Sequence, residues 1–385
     1  MALDCLAGAS NAFCADCGFD SCLCQGAMVK PHEFPRYSRS QYDKAAGRFK
    51  KDIPVGSDAA RDQWFQAFEI VENWRAAHGY PLGRFREWLL QRATKIDPKV
   101  NVAQRLKRLR SIHTKMTRPG RSWRLTQMQD IAGCRAIVHS IPHVQALAKG
   151  LRQARTQHRL VGEDDYITNP QATGYRSHHL IFEFCSRTHT LFEGMFCEIQ
   201  LRTPYQHAWA TAVEVAGFFK GQDLKGGQGD KDWLRFFALA SGAIAFTEKA
   251  PLVPGVPDDQ EELLKELIEL TQSLGVLKWM SGFRYAPTIA TQRAKKDAYW
   301  YLLRLDINTR MVTWDSFTIE ETELANEHYA EGEKLSVDQP NVQTVLVSAD
   351  GMRALRYAYP SFFGDSAEFN EMLKMLLGLP PGFAG

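Results

Sequence analysis

No cysteine follows Cys197 in this chain of 385 residues, which excludes a cysteine-ligated zinc finger from everything after it. No apolar run approaches the roughly twenty residues needed to span a bilayer, and the N-terminus lacks a basic segment followed by an apolar stretch and a cleavage site. These absences set aside membrane-spanning and exported proteins and make a cytoplasmic location the expectation. Net charge is small as well. At a formal +3 the molecule carries no overall field that attracts a polyanion, so any contact with nucleic acid or polyphosphate has to be local. Neither an internal repeat nor a low-complexity tract occurs, which excludes a solenoid.

What is present is an ordinary globular composition, 44% hydrophobic and 24% charged, in a length that divides into two or three domains. Cys14, Cys17, Cys22 and Cys24 crowd a leader over residues 1–30, where four thiolates could surround a structural zinc ion. Their compressed spacing leaves open a disordered leader or a true start at Met28. Cys134, Cys185 and Cys197 lie in apolar runs and are expected to be reduced and buried. From a cap at Ser38 or Ser40, Trp64, Phe65, Phe68, Val71 and Trp74 recur near helical spacing, followed by Phe85, Trp88 and Leu89, and these aromatics read as core. Strands are expected at 102–108, 134–139, near 159, and at 180–185 and 196–203, alternating with helices at 111–117 and 144–155. The pattern predicts an α+β fold, a sheet flanked by helices, with further helices at 204–220, 233–247 and 261–274. We divide the chain into the leader, a catalytic unit over 36–281 and a smaller C-terminal α+β domain over 282–385. That last unit is expected to hold a hairpin of 299–307 and 311–317, a strand at 342–347 and two short helices.

Chemistry concentrates in a few segments. In a strand over 196–203, Glu198, Gln200 and Arg202 share one face and Cys197, Ile199 and Leu201 the other. The plainer alternative is a half-buried strand with a solvated polar face. Arg105 and Lys107 lie two apart on a strand, and Ser111 and Lys115 one turn apart on the next helix. Together they suit a polyphosphate: lysines neutralise it, Ser111 and helix-start N–H groups donate to its oxygens, and an arginine plane stacks on a purine. A solvated basic surface is the alternative. Asp130 is either a loop aspartate or a hard oxygen ligand for magnesium, with Glu198 as a second acid able to activate a hydroxyl. The Gly174–His179 turn reads as exposed. His178 and His179 point to opposite faces of a strand, so they share no metal.

The segments Arg105-x-Lys107-x-x-x-Ser111-Ile112-x-x-Lys115, Asp130-Ile131-Ala132-Gly133-x-Arg135, Asp165-Tyr166-Ile167, Gly174-Tyr175-x-Ser177-x-His179 and Glu198-Ile199-Gln200-x-Arg202-Thr203 occur in one order. In that order they resemble the RelA/SpoT alarmone synthetase domain over roughly residues 38–250. The resemblance implies a nucleotidyltransferase-like mixed sheet and transfer of the β,γ-pyrophosphate of ATP to a ribose 3′-hydroxyl. It further implies that Arg105 and Arg135 sandwich adenine, that Lys107, Ser111 and Lys115 hold the phosphates, and that Asp130 and Glu198 bind magnesium. Tyr175 would stack on the acceptor base, His179 and Arg202 would serve the acceptor side, Glu198 would assist hydroxyl deprotonation and Gln200 would support the site. No His-Asp pair with downstream acids is found, so the degrading domain of bifunctional relatives is not expected.

Two departures bear on the acceptor. Where similar housekeeping synthetases carry a basic residue and a Pro-Lys, this chain has Asp164 and Pro170-Gln171. Loss of those cations weakens capture of free GDP or GTP more than capture of a terminal nucleoside on a larger molecule. The Gln206-His207-Ala208-Trp209 helix and the C-terminal unit resemble fused toxin-antitoxin small alarmone synthetases of the CapRel type. That implies a C-terminal domain that covers the site until a trigger protein displaces it, with Tyr359 and Phe362 as autoinhibitory residues in place of a Tyr-x-x-Tyr element. The expectation is pyrophosphorylation of the tRNA 3′ end, arresting translation and growth, in phage defence. Alternatives are a synthetase of guanosine or adenosine alarmones acting on free nucleotides, and a non-catalytic nucleotide sensor.

Overall fold

The computed structural model of the protein describes residues 33–54, 56–118, 123–283, 288–289, 295–306, 309, 311–339, 342–348 and 366–380. Within these, one nine-stranded sheet runs in the order β3-β4-β5-β2-β1-β9-β7-β8-β6. Its strands are β1 (Asn101–Leu106), β2 (Ala132–Ile137), β3 (Arg159–Asp165), β4 (His178–Glu183), β5 (Phe196–Arg202), β6 (Thr288–Ile289), β7 (Trp300–Asp306), β8 (Met311–Phe317) and β9 (Val342–Ser348). Only β2–β5 and β6–β8 pair in parallel, so the sheet is mixed and mostly antiparallel, as an α+β fold requires.

The helices are α1 (Arg39–Phe49), α2 (Asp58–Ala77), α3 (Gly79–Ile96), α4 (Leu109–Thr117), α5 (Ile141–Arg152), α6 (Pro204–Lys220), α7 (Lys231–Glu248), α8 (Gln260–Ser273), α9 (Val276–Phe283), α10 (Thr322–Asp338) and α11 (Ala367–Leu376). Local sequence accounts for several ends. Ser38 and Gln41 form a capping box that starts α1. Thr203 and Gln206 do the same for α6, with Pro204 at its first position, and Gly221 in the left-handed region ends it.

Alternation along the strands gives the sheet two different faces. On one, Val102 and Leu106 of β1, Cys134 and Ala136 of β2, Leu180 and Phe182 of β4 and Ile199 and Leu201 of β5 enter a single core with α1, α2, α3 and α5. The same cluster continues through Leu346 of β9 and Leu302 of β7 to Tyr329 of α10. The C-terminal strands therefore extend the same sheet and core, joined where Gln104 and Arg105 of β1 pair Ser348 and Val347 of β9. Gly332 of α10 has no Cβ to meet Thr344, whose side chain lies 2.8 Å from where one would be, so the helix lies close on β9. A second cluster joins α6, α7, α8 and α9 to Tyr175, and Phe369 of α11 packs on Phe236 and Phe237 at 6.2 and 6.1 Å.

Three expectations need correction. The Gly174–His179 segment is buried, not exposed, because α6 and α7 close over it. Gly174 has φ +91°, and a Cβ there would lie 2.9 Å from Trp209 and 3.0 Å from the Phe237 carbonyl, so only glycine fits. Cys185 is half-buried, whereas Cys134 and Cys197 are buried, and all three are free thiols. Of the two helices expected after residue 282, the described residues show the 10-residue α11 and, between β8 and β9, α10, which at 17 residues is not short. No helix among the described residues is long and apolar enough to cross a membrane.

Candidate active site

Strand register assembles the site in rows. Arg105 of β1 lies opposite Gly133 of β2, which lies opposite Glu198 of β5. One step along, Arg135 of β2 lies opposite Gln200 of β5, followed by His179 of β4 and Asp164 of β3. Residues opposite each other in a ladder project to the same face, so two arginines, a carboxylate, an amide and an imidazole share one surface. Gly133 leaves an open floor between Arg105 and Glu198.

The basic segment closes the Arg105 end of this surface. Lys107 lies just past β1, where its N–H donates to the Ile131 carbonyl at 2.7 Å, and Ser111 and Lys115 ride on α4. Asp130, in the turn before β2, accepts from Lys107 Nζ and from Lys115 Nζ, each at 2.8 Å. The Lys115 ammonium also lies 4.8 Å from the centre of the Trp123 ring. Burial alone would raise the Asp130 pKa, but two ammonium groups outweigh it and hold the carboxyl below its ordinary range. Lys107 is pushed down by burial even though it is paired. The two directions conflict for a simple ion pair, and we take Asp130 as the governing one. It faces two cations, whereas Lys107 has one carboxylate set against repulsion from Arg105 and Lys115.

At the other end five side chains form a closed ring. Glu198 Oε1 lies 3.0 Å from His179 Nδ1, and His179 Nε2 lies 2.8 Å from the Tyr175 hydroxyl. Arg202 donates to that hydroxyl at 2.7 Å and to Gln200 Oε1 at 3.1 Å. Gln200 Nε2 donates back to Glu198 Oε2 at 2.6 Å. Burial raises the Glu198 pKa, but the His179 hydrogen bond and charge, Gln200 and the Lys107 charge together hold it far below the usual carboxylate range. Lys107 thus acts on both acids and ties Asp130 and Glu198 to one electrostatic site. Burial opposes charge on His179, yet Tyr175 and Glu198 raise it to about 9. Tyr175 is lowered to about 7, as Arg202, His179 and Lys225 overcome its burial.

Magnesium is the ion the family resemblance implies, and the donor set fits it. Asp130 and Glu198 are ionised hard oxygen donors, each about one-fifth exposed. The described residues hold no group of three or more His, Cys, Asp or Glu that could bind a metal. Magnesium takes one or two carboxylates and completes its shell with phosphates and water.

Several contacts have no local signature in the sequence. Lys225, in a single 3₁₀ turn (Leu224–Gly226) after α6, places its ammonium 5.5 Å from the Tyr175 ring centre and 2.6 Å from Glu214 Oε1. Burial raises Glu214, but Lys225, Arg105 and Arg135 lower it well below the carboxylate range, so it lies between the Lys225 ammonium and the two arginines. The C-terminal unit grips the start of α4. The Leu109 N–H donates to the Tyr329 hydroxyl at 3.2 Å, the Arg110 N–H donates to Glu333 Oε2 at 3.2 Å, and Arg108 bonds Gln343. Arg75 of α2 completes this latch, donating to the Lys107 carbonyl at 2.8 Å and lying 3.7 Å from the centre of the Tyr329 ring.

His178 turns away from the ring towards Glu163, at 2.7 Å, on the opposite face from His179. Cys14, Cys17, Cys22 and Cys24, with their zinc reading, and Tyr359 and Phe362, with their autoinhibitory reading, lie outside the described residues.

With this geometry in place, residues 104–223 match the RelA_SpoT family model, the region found in RelA/SpoT proteins. The match contains every residue of the two rows, the Asp130 cluster and the ring, and Lys225 lies just beyond it. GTP pyrophosphokinase YjbM of Bacillus subtilis (strain 168) is 36% identical over 84 residues, 22% of this chain and 39% of the relative. GTP pyrophosphokinase YwaC of the same organism is 34% identical over 119 residues, 30% of this chain and 56% of the relative. The chain thus spans less than two thirds of the length of either curated relative. Among solved structures, small alarmone synthetase 1 from Bacillus subtilis bound to its product pppGpp is 27% identical. The alignment covers 38% of this chain and 73% of that one, at a TM-score of 0.33.

Proposed function

We propose that this protein is an ATP-dependent pyrophosphokinase that transfers the β,γ-pyrophosphate of ATP to a ribose 3′-hydroxyl. The observation that carries it is the shared charge field. Lys107 bonds Asp130 and acts on Glu198, while Arg105, Gly133 and Glu198 form one row on an open floor. Lys107 and Lys115 exchange Asp130 for phosphate oxygens, and Arg105 and Arg135 flank the adenine. Asp130 and Glu198 would hold magnesium, which supplies neutralisation of the phosphate charge. The acceptor oxygen attacks the β-phosphorus, the bond from the α–β bridging oxygen to that phosphorus breaks, AMP leaves, and the Glu198 carboxylate receives the hydroxyl proton.

For the acceptor we propose the tRNA 3′ end, with arrest of translation and growth, in phage defence. Support comes from Asp164, an acid beside His179 in the position where similar synthetases carry a cation. Lys225 favours a second reading, because an ammonium over Tyr175 offers a free guanine or adenine nucleotide some of the positive charge that Asp164 withholds. Restraint by the C-terminal unit has a physical handle in Tyr329 and Glu333, which take two N–H groups at the start of the helix that carries Ser111 and Lys115. A trigger protein acting on that unit would free them.

The test incubates the whole protein with magnesium and β,γ-labelled ATP, separately with tRNA and with each purine nucleotide. Label in tRNA is expected. Label confined to nucleotides would defeat the tRNA acceptor and leave alarmone synthesis. The sensor reading gains only if no acceptor is labelled.

A further inference from the structure

Tyr175 is the aromatic residue of the site, and stacking on a base is the role its ring suggests. Its surroundings give the hydroxyl a task of its own. The residue is only 6% exposed. Tyr166 meets its ring edge-on at 5.8 Å, and Arg202 and Lys225 stand 5.3 and 5.5 Å from its centre. The hydroxyl is engaged as well as the ring. It lies 2.8 Å from His179 Nε2 and accepts from Arg202 at 2.7 Å, the one oxygen that joins the two arms of the ring holding Glu198.

We propose that Tyr175 is a positioning residue, whose hydroxyl fixes His179 and Arg202 and through them both oxygens of Glu198 against the incoming sugar hydroxyl. The atoms account for this directly. Glu198 Oε1 is held by His179 Nδ1, so the imidazole orients the carboxylate only while something orients the imidazole. Tyr175 is the partner of the other ring nitrogen. Glu198 Oε2 is held by Gln200, whose amide oxygen is held by Arg202, and Arg202 is aimed by Tyr175 and by Ser177 at 3.3 Å. Removing one hydroxyl therefore loosens both sides of the carboxylate while leaving the ring, its packing and the phosphate-binding lysines in place. The loop is itself anchored by Arg176, which donates to Ser241 at 3.0 Å and to the Pro251 carbonyl at 2.6 Å, so the hydroxyl is placed by the fold without a ligand. This inference rests on the pyrophosphokinase reading and adds a role to it.

The test compares the whole wild-type protein with Tyr175→Phe and Tyr175→Leu in the labelled-ATP assay, using whichever acceptor the wild type labels. Tyr175→Phe keeps the ring and loses the hydroxyl, so kcat is expected to fall about 10- to 100-fold with acceptor KM changed less than about threefold. Tyr175→Leu should lower kcat to a similar degree. Replacement of Tyr175 by 4-fluorophenylalanine, whose fluorine fills the hydroxyl's place but accepts hydrogen bonds poorly, should lower kcat as Tyr175→Phe does, whereas 3-fluorotyrosine, which keeps the oxygen that accepts from Arg202, should stay within about fivefold of wild type. That pair also keeps the idea open to refutation if Tyr175→Phe does not fold, since both variants carry the ring and a stacking role alone gives no reason for them to differ in kcat. The inference is overturned if Tyr175→Phe keeps wild-type kcat, or if its loss lies wholly in acceptor KM. A wild type that labels no acceptor would instead overturn the reading beneath it.

Discussion

The two ends of the polar sheet surface are built on opposite plans. At the donor end, Asp130, Lys107 and Lys115 come from a turn, a strand end and a helix, and are joined by two charge-assisted hydrogen bonds that converge on one carboxylate. At the acceptor end, Tyr175, His179, Glu198, Gln200 and Arg202 come from two adjacent strands and one anchored loop, and every link is a directed hydrogen bond. The contrast suggests a division of labour. Under the proposed function a polyphosphate would take both lysines from Asp130 by supplying charge of the same sign, so the donor end would rearrange on binding. The acceptor end is preorganised, which is where geometric precision matters for proton removal.

The largest effect expected from breaking this comparison is at Glu198. Glu198→Gln removes the proton acceptor but keeps a side chain of the same shape, so label transfer should fall by about 10²- to 10⁴-fold. Growth arrest on expression should vanish with it, and unchanged arrest would contradict an enzymatic role. Next is Lys115→Met, which leaves Asp130 with one cation and the phosphates with one fewer. ATP binding by calorimetry should weaken by about 1.5–3 kcal/mol, while the acceptor ring, which Lys115 does not touch, stays intact.

The pH dependence of stability sharpens the contrast from behind the donor end. His78, at the α2–α3 junction, is fully buried, and its Nδ1 bonds the Trp74 carbonyl at 2.7 Å. Burial lowers its pKa from 6.5 to about 4. The unfolded chain therefore binds more protons at this residue between those values, so the neutral imidazole costs nothing above pH 6.5 and progressively destabilises the fold as pH drops towards 4. The cost is on the order of 2 kcal/mol. Denaturant unfolding at pH 7.5 and 4.5 should show that loss in wild type and less of it in His78→Gln; equal losses would remove His78 as its source.

The smallest effect concerns the latch. Glu333→Gln weakens the hold of α10 on the first turn of α4 and should raise label transfer a few-fold, on the order of 1 kcal/mol or less. A fall in activity would recast the C-terminal unit as a support of the phosphate lysines. Truncation near Gly282 is a blunter version, since it also strips β7, β8 and β9 from the sheet and uncovers the edge of β1.

The polar face of β5 was legible because period-two alternation is local and because Glu198, Gln200 and Arg202 are neighbours in sequence. Asp130 with Lys107 and Lys115 was legible as a set from charge and spacing, although nothing in the sequence revealed that they bond one another without a ligand. Burial of the Gly174–His179 segment was hidden, since its turn-like composition suggests exposure and the Ser241 and Phe237 that cover it come from a helix some 60 residues away. Lys225 and the α10 latch were hidden for the same reason. Partners within the latch lie as far as 235 residues apart, and such contacts leave no periodic trace. The long α10 escaped notice because its sequence, Thr322–Asp338, is rich in acids and carries a mid-helix Gly332 that weakens its helical signal.

The most direct test of the central claim is the stoichiometry of one turnover. With ATP labelled at both the β and γ phosphates, the whole protein should release one AMP for each doubly labelled acceptor, and Glu198→Gln should release almost none. Release of ADP with single-label transfer, or AMP formed with no label on any acceptor, would contradict a site that joins Asp130 and Glu198 around one ATP.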